Sequence, residues 1–309
     1  TFGNVPLVLN EATSADDDKE NVQVPIAQIY SQIAADLTEA ESSLPSTAKG
    51  GRATKGAAAA LLGKVYLTQG DKTSAASALK RVSGYSLVDN YADLWGVENE
   101  FNKESIFEVS YESGYGVLGN LYTSAMNTEL GATVTSGPRN FPTKSLISSY
   151  EAGDTRFEAS IAGIGSEVVG FASDGAGWCI KYGTTNPSTD NDGPNNWVVL
   201  RYADVLLMLA EALGESTESY GYINQVRARA GLGAISSSTA GTFAEKLLQE
   251  RKVELAFEGH RWPDLKRFGV AASVMSSDPR AIDIRGRLNL AIPQREMDIN
   301  PDFVQNPGY

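Results

Sequence analysis

Five aromatic residues in one loop-rich stretch, Tyr115, Tyr122, Trp178, Tyr182 and Trp197, are the side chains best suited to hold a ligand. Sugars present C–H faces that stack on such rings, while Asn, Asp and Gln side chains take the hydroxyls. Sites of this kind combine an apolar floor with a few placed polar groups. Trp178 lies between Gly177 and Cys179, and Trp197 follows Pro194-Asn195-Asn196. Each ring alone reads as a packed side chain; the set together is where a ligand is to be sought.

Other chemistry is weaker in the sequence. Gly114-Tyr115-Gly116-Val117-Leu118-Gly119 satisfies GxGxxG, but no helix follows the third glycine and no acidic residue ends a second strand about twenty residues on, so a flexible aromatic loop is the reading. Asp190-Asn191-Asp192-Gly193 resembles part of a calcium loop. With Asp190 and Asp192 at ligand positions three and five, position twelve falls on Val199 rather than glutamate, and a turn is favoured. Asp16, Asp17 and Asp18 read as a solvated acidic loop. His260, the single histidine, could face Asp264 in a Ser-His-Asp arrangement. Its neighbours Glu258, Arg261, Lys266 and Arg267 make a charged, hydrogen-bonded knot the simpler account. The spacing of the 38 acidic residues singles out no pair fit for glycoside hydrolysis. No cofactor, no metal and no enzyme is expected.

The chain has 309 residues, 42% hydrophobic and 21% charged, enough to bury a sizeable core. A net charge of −12 argues against a nucleic-acid partner, which requires a clustered basic surface. Cys179 stands alone, so no internal disulfide and no thiolate metal cage can form. No apolar run reaches the ~20 residues that span a bilayer. No signal peptide is visible, and the chain opens on Thr1.

Residues 1–22 read as an extended arm. Ile26, Ile29, Tyr30, Ile33, Leu37 and Leu44 keep a helical period from Pro25 to Leu44, where Pro45 and Gly50-Gly51 stop it. Thr54 is a plausible N-cap. Leu62-Gly63-Lys64-Val65-Tyr66 has the spacing of a tetratricopeptide first helix, and Ala75, Leu79 and Val82 follow at second-helix spacing. A degenerate pair follows at 200–230 and a third at 242–268. Arg201 and Asp204 are i, i+3 partners that could pair along a helix. Between the first two pairs, Ser105 to Tyr111 reads as a strand and Thr143 to Tyr150 as a short capped helix. Trp95 and Trp262 read as core. In Gln249–Gly269, Val253, Ala256 and Phe257 form an apolar stripe opposite a charged face of Glu250, Arg251, Lys252 and Glu254. Gly259 is the expected left-handed cap, and Pro263 sits in the first turn of a second short helix. The fold class is mainly α, with helical pairs packed against an irregular subdomain carrying a few short strands.

Three strings point further. QERKVELAFEGHRWPDLKRFG resembles the segment ERxxELAFEGHRWxDLxR of the SusD/RagB family; Leu200–Leu213, LRYADVLLMLAEAL, resembles its RYADVLLMxAEA helix; and Ala291–Tyr309 is similar to its usual ending. The string GRATKGAAAALLGKVYL is also family-like, as is YEAGDTRF from Tyr150. Pro263 departs from the pattern, and the turn after Leu213 is short.

The resemblance implies a SusD-like fold of four tetratricopeptide pairs cradling an irregular half that carries the ligand site. On that basis residues 1–83 would close the N-terminal region, 84–199 would form the variable, ligand-facing subdomain, and 200–309 the C-terminal region. It also implies a non-catalytic, lipid-anchored protein of the Bacteroidetes outer-membrane surface. Such a protein binds a nutrient, most often an oligosaccharide or polysaccharide, over a SusC-type TonB-dependent transporter. A peptide is the alternative ligand, as in the RagB branch, and a protein-interaction scaffold is a further alternative. TFGNVPLV resembles a segment that members place well inside the chain, so an N-terminal part of roughly 150 residues is expected to be absent. Shared motifs mark the scaffold: Arg201, Tyr202, Asp204, Glu211, Glu250, Arg251, Glu254, Glu258, Gly259, His260, Arg261 and Asp264 are expected to be structural.

Overall fold

The computed structural model describes residues 2–11, 13, 22–113, 141–165, 177–182, 193–277, 284 and 287–309. These fall into two compact units, Thr1–Glu39 with Trp262–Tyr309, and Ala40–Arg261. The described residues are mostly helical, with a few two- to five-residue strands.

The larger unit is built on two helix pairs. In the first, α2 (Lys55–Gln69) starts where the Thr54 side chain accepts the amide of Ala57, and ends at Gly70, whose φ of 81° closes the helix. After the two-residue turn Gly70-Asp71, with Asp71 as N-cap, α3 (Lys72–Leu79) returns along it. The close approach is written in one glycine: a Cβ on Gly63 would lie 2.5 Å from Leu79 Cγ. The second pair is α6 (Tyr202–Leu213) and α7 (Thr217–Arg229). Every residue of α6 from Ala203 to Ala212 is buried, as befits a helix apolar nearly all round and enclosed by neighbours. It packs on α2, α3, α7 and α8 (Phe243–Glu254), and α8 begins in a capping box of Thr242 and Glu245. Ala59, Leu67, Leu79, Val205 and Met208 form the shared core.

Between the pairs lie β3 (Ser105–Val109), the short helices α4 (Lys144–Ile147) and α5 (Arg156–Ser160), β4 (Ile161–Ala162), β5 (Trp178–Cys179) and β6 (Trp197–Arg201). Thr143 caps α4 at the amide of Leu146. β3 and β6 are antiparallel, with Ser105 opposite Arg201 and Val109 opposite Trp197; β4 and β5 pair Ile161 with Cys179. β6 therefore delivers Trp197 at one end and Arg201, at the threshold of α6, at the other.

The smaller unit holds an antiparallel pair, β1 (Val5–Pro6) and β2 (Gln23–Val24), the start of α1 (Ile26–Ser43), and the helices α9 (Arg261–Arg267), α10 (Ala271–Ser277) and α11 (Gln294–Ile299). Side-chain amides tie its two chain segments together. Gln23 Oε1 accepts the amide of Val304 at 2.7 Å, and Asn306 Nδ2 donates to the carbonyls of Phe2 and Leu290.

Two expectations from periodicity need correction. α8 stops at Glu254 rather than continuing to Gly259, and Phe257 leaves the helix with φ 68°. The charged face of that helix is also not solvated: Glu250, Arg251 and Glu254 are buried. One cause explains both, as the site shows.

Candidate functional site

Trp197 and Tyr182 stack with ring centroids 4.7 Å apart and planes 19° from parallel. Trp95 meets Tyr182 edge-on at 5.4 Å, and Tyr91 meets Trp95 likewise at 5.9 Å. Offset-stacked and edge-to-face pairs suit the ring quadrupoles. Tyr182 is 1% exposed and Trp95 9%, whereas Trp197 is only partly buried. Tyr182 thus braces Trp197 from behind instead of offering its own face. Burial raises the Tyr182 hydroxyl pKa well above its usual value. Trp178, also half-buried, lies so close over Gly163 that a Cβ there would fall 1.9 Å from its ring. A shallow recess opens beside the stack, lined among others by Trp95, Glu100, Glu108, Lys181, Asn195 and Asn196. Asn196 organises it: its amide donates to Glu100 Oε1 at 2.9 Å, and its Nδ2 to Glu108 Oε2 at 2.9 Å.

Behind this wall lies a buried ionic core. Arg201 Nε donates to Glu258 at 2.7 Å, and its Nη1 to Glu104 at 2.9 Å and to Glu254 at 2.5 Å. Arg156 is held by Asp154 (2.8 Å), Glu250 (2.5 Å) and Glu254 (3.0 Å), while Arg229 joins Glu104 and Glu254. Lys181 Nζ donates to Glu258 at 2.9 Å and to the carbonyl of Ala256 at 2.7 Å. The carbonyl of Glu254 accepts from Arg201 Nη2 (2.7 Å) and from the Tyr91 hydroxyl (2.8 Å). These carbonyls are free for the cations because α8 unwinds after Glu254. Burying an ion is expensive unless it is paired, so the early helix end, the left-handed Phe257 and the buried glutamates share one origin. Burial alone would raise the Glu254 pKa, but Arg229, Arg201 and Arg156 outweigh it and hold the carboxyl well below the usual range.

A second ionic group surrounds the histidine. Asp204 accepts from Arg251 at 2.8 Å and from Lys64 at 3.3 Å, and Lys64 Nζ lies 3.0 Å from His260 Nδ1. Lysine only donates, so Nδ1 carries the lone pair and Nε2 the proton. Burial lowers the His260 pKa to about 4, with Asp204 opposing and Lys64 reinforcing the shift. Arg201 and Asp204 do not pair with each other along a helix: Arg201 is extended at the end of β6, and each joins a different group.

The other motif residues divide between the units. Tyr202 is partly buried against the core formed with Leu79 and Val205. Glu211 is buried in α6, and Gly259 takes φ 80° just before His260. Arg261 Nη1 approaches the carbonyl of Leu248 at 3.5 Å. In the smaller unit Asp264 pairs with Arg267 at 2.8 Å, and Trp262 is half-buried. Tyr115, Tyr122, the Gly114–Gly119 loop, Asp190, Asp192 and the Asp16–Asp18 run lie outside the described residues. Among the described residues, no group of three or more His, Cys, Asp or Glu is placed to hold a metal ion.

A model of the SusD family matches residues 166–309. A laminarin binding SusD-like protein of known structure superposes with a TM-score of 0.84 at 34% identity, over 100% of this chain and 75% of that one. The chain belongs to the SusD family. Its curated relatives include SusD-like protein P2 of Formosa agariphila, 28% identical over the whole chain and 70% of that protein. A SusD-like protein of Bacteroides ovatus is 31% identical over 84% of this chain and 54% of its own length. A SusD superfamily structure from Bacteroides vulgatus aligns at 29% identity with a TM-score of 0.79.

Two strings that carry the SusD resemblance supply much of both ionic groups: LRYADVLLMLAEAL provides Arg201 to the core and Asp204 to the histidine group, and the ERKVELAFEGH stretch provides Glu250, Glu254 and Glu258 to the core and Arg251 and His260 to the histidine group. The wall in front is drawn from elsewhere in the chain. Sequence reasoning did not single out Glu100, Glu108, Asn196 or Lys181. Their only signal was nearness in sequence to Trp95, Tyr182 and Trp197, and nothing in their spacing distinguishes a recess from a surface turn.

Proposed function

We propose that this chain is a non-catalytic glycan-binding protein of the cell surface that passes its ligand to a SusC-type TonB-dependent transporter of the outer membrane. The supporting observation is the 34% identity, over the whole chain, with a structure described as laminarin binding. The half-buried Trp197, braced by Tyr182, offers a ring for a sugar to stack on and has amide and carboxylate groups beside it. The single histidine is buried among Lys64, Asp204 and Arg251, which suits a structural post rather than a general base. No helix of the described residues is long and apolar enough to cross a membrane, and attachment to the outer membrane is proposed to be through lipid.

Calorimetric titration with laminarin, neutral oligosaccharides and short peptides tests the reading. A saturable saccharide signal is expected, weakened about fivefold or more in Trp197→Ala, since loss of a stacked aromatic costs about a kcal/mol or more. A signal from peptides alone would replace the glycan reading with a peptide-import one.

A further inference from the structure

Lys181 borders the recess, yet its side chain is 0% exposed, so its ammonium meets no ligand there. Its own contacts leave it little freedom. An ammonium has three N–H donors, and three oxygens surround this one: the Ala256 carbonyl at 2.7 Å, Glu258 Oε1 at 2.9 Å and the Glu254 carbonyl at 3.4 Å. Two of the three are backbone groups where α8 ends, so the stem is pinned to the chain itself. The ammonium also lies over two rings, 4.8 Å from the centroid of Trp95 and 5.2 Å from that of Tyr91, within cation–π range.

Tyr182 is next in the chain and has no polar hold of its own. Its hydroxyl is buried without a hydrogen-bond partner among the described residues, so nothing at its tip fixes the ring. Packing sets it instead, edge-on to Trp95 at 5.4 Å and stacked on Trp197 at 4.7 Å. Lys181 grips this arrangement twice, through the backbone it shares with Tyr182 and through the ring of Trp95. Both routes end at Tyr182, and through it at Trp197.

We propose that Lys181 is a positioning residue of the saccharide site: its charge sets the Tyr182–Trp197 stack before a sugar arrives, and so tunes affinity from behind the wall. This inference rests on the glycan-binding reading and adds to it a residue that touches no ligand. The test titrates laminarin and neutral oligosaccharides into the whole chain by calorimetry, which reads affinity, binding entropy and the fraction of competent sites separately. Lys181→Met keeps the stem and removes the charge, while Arg201 still holds both oxygens of Glu258. Its competent fraction should match wild type while affinity falls about two- to tenfold, the entropic cost of ordering one freed side chain on binding. Gly63→Ala, which strains the packing of α2 on α3, should lose stability but keep wild-type affinity. Should Lys181→Met not fold, Lys181→Gln, with an amide donor on a shorter stem, is read in its place with the same expectation. Wild-type affinity in the Lys181 variant, a loss confined to its competent fraction, or an equal loss in Gly63→Ala overturns the positioning role and leaves the glycan reading intact. Failure of the wild type to bind any of these saccharides overturns both.

Discussion

The sole histidine gives the larger unit a pH signature that can be computed from its surroundings. His260 Nδ1 faces the Lys64 ammonium at 3.0 Å, and the imidazole is buried, so the folded state keeps it neutral with its pKa down to about 4. Unfolded, it titrates near the ordinary value of about 6.5. The folded pKa is the lower one, so the unfolded state takes up a proton first as pH falls. Stability is therefore complete above about pH 6.5 and declines at up to about 1.4 kcal/mol per pH unit toward pH 4. Integrated between about pH 7.5 and pH 5, the loss comes to about 2 kcal/mol. Asp204, Glu254 and Glu258, with depressed values, add their losses only below the unfolded carboxylate range. Glu250 and Glu100, whose values are raised, act in the opposite sense at the acid end. Urea unfolding at several pH values, on wild type and on His260→Asn, isolates the effect because Asn can still accept from Lys64. Wild type should lose about 2 kcal/mol across the window and the variant should stay flat to within about 1 kcal/mol. A wild-type profile as flat as the variant's would mean that the imidazole titrates normally in the folded state, and the argument from burial and Lys64 would be refuted.

Two further changes probe the scaffold. Glu254→Gln keeps the shape but withdraws a charge shared by Arg156, Arg201 and Arg229. Urea unfolding should show a loss of about 3–5 kcal/mol, and a loss under about 1 would mean the guanidinium groups need no such counter-charge. Gly63→Ala sets a methyl 2.5 Å from Leu79 Cγ in the tightest part of the first helix pair, and should cost about 1–3 kcal/mol by thermal or urea unfolding. A neutral result would show that α3 can shift outward freely.

What the sequence made legible is local. The Leu62-Gly63-Lys64-Val65-Tyr66 spacing announces a helix that another must approach closely, and Gly63 against Leu79 is that approach. Thr54 and Thr143 mark helix starts by chemistry acting over three residues. The ionic core was illegible for the opposite reason. Glu250 and Glu254 sit one turn apart among other charges, as on a solvated face, yet their shared partner Arg156 lies more than ninety residues away in sequence. Charge in a helix gives no sign of whether its counter-ion is solvent or a buried guanidinium. The same holds for the wall: aromatic type marked out both Tyr182 and Trp197, but only the stacked geometry shows which is the brace and which the partly open ring.

The core and the wall are mechanically one object. Lys181 lies 4.8 Å from the centroid of Trp95 and 5.2 Å from that of Tyr91 while bonded to Glu258, and the Tyr91 hydroxyl is bonded to the carbonyl at the end of α8. Tyr182, next in the chain to Lys181, carries Trp197. β6 spans the same distance from the other side, with Trp197 at its first residue and Arg201, bound to the same Glu258, at its last. A ring meant to stack on a sugar gains affinity when its position is fixed before the ligand arrives, because less side-chain entropy is lost on binding. Multiply paired guanidinium and ammonium groups are suited to such fixing: they are directional, and moving one exposes several buried charges at once. In this chain the ionic core therefore holds the wall in place, through Lys181 on one side and Arg201 on the other.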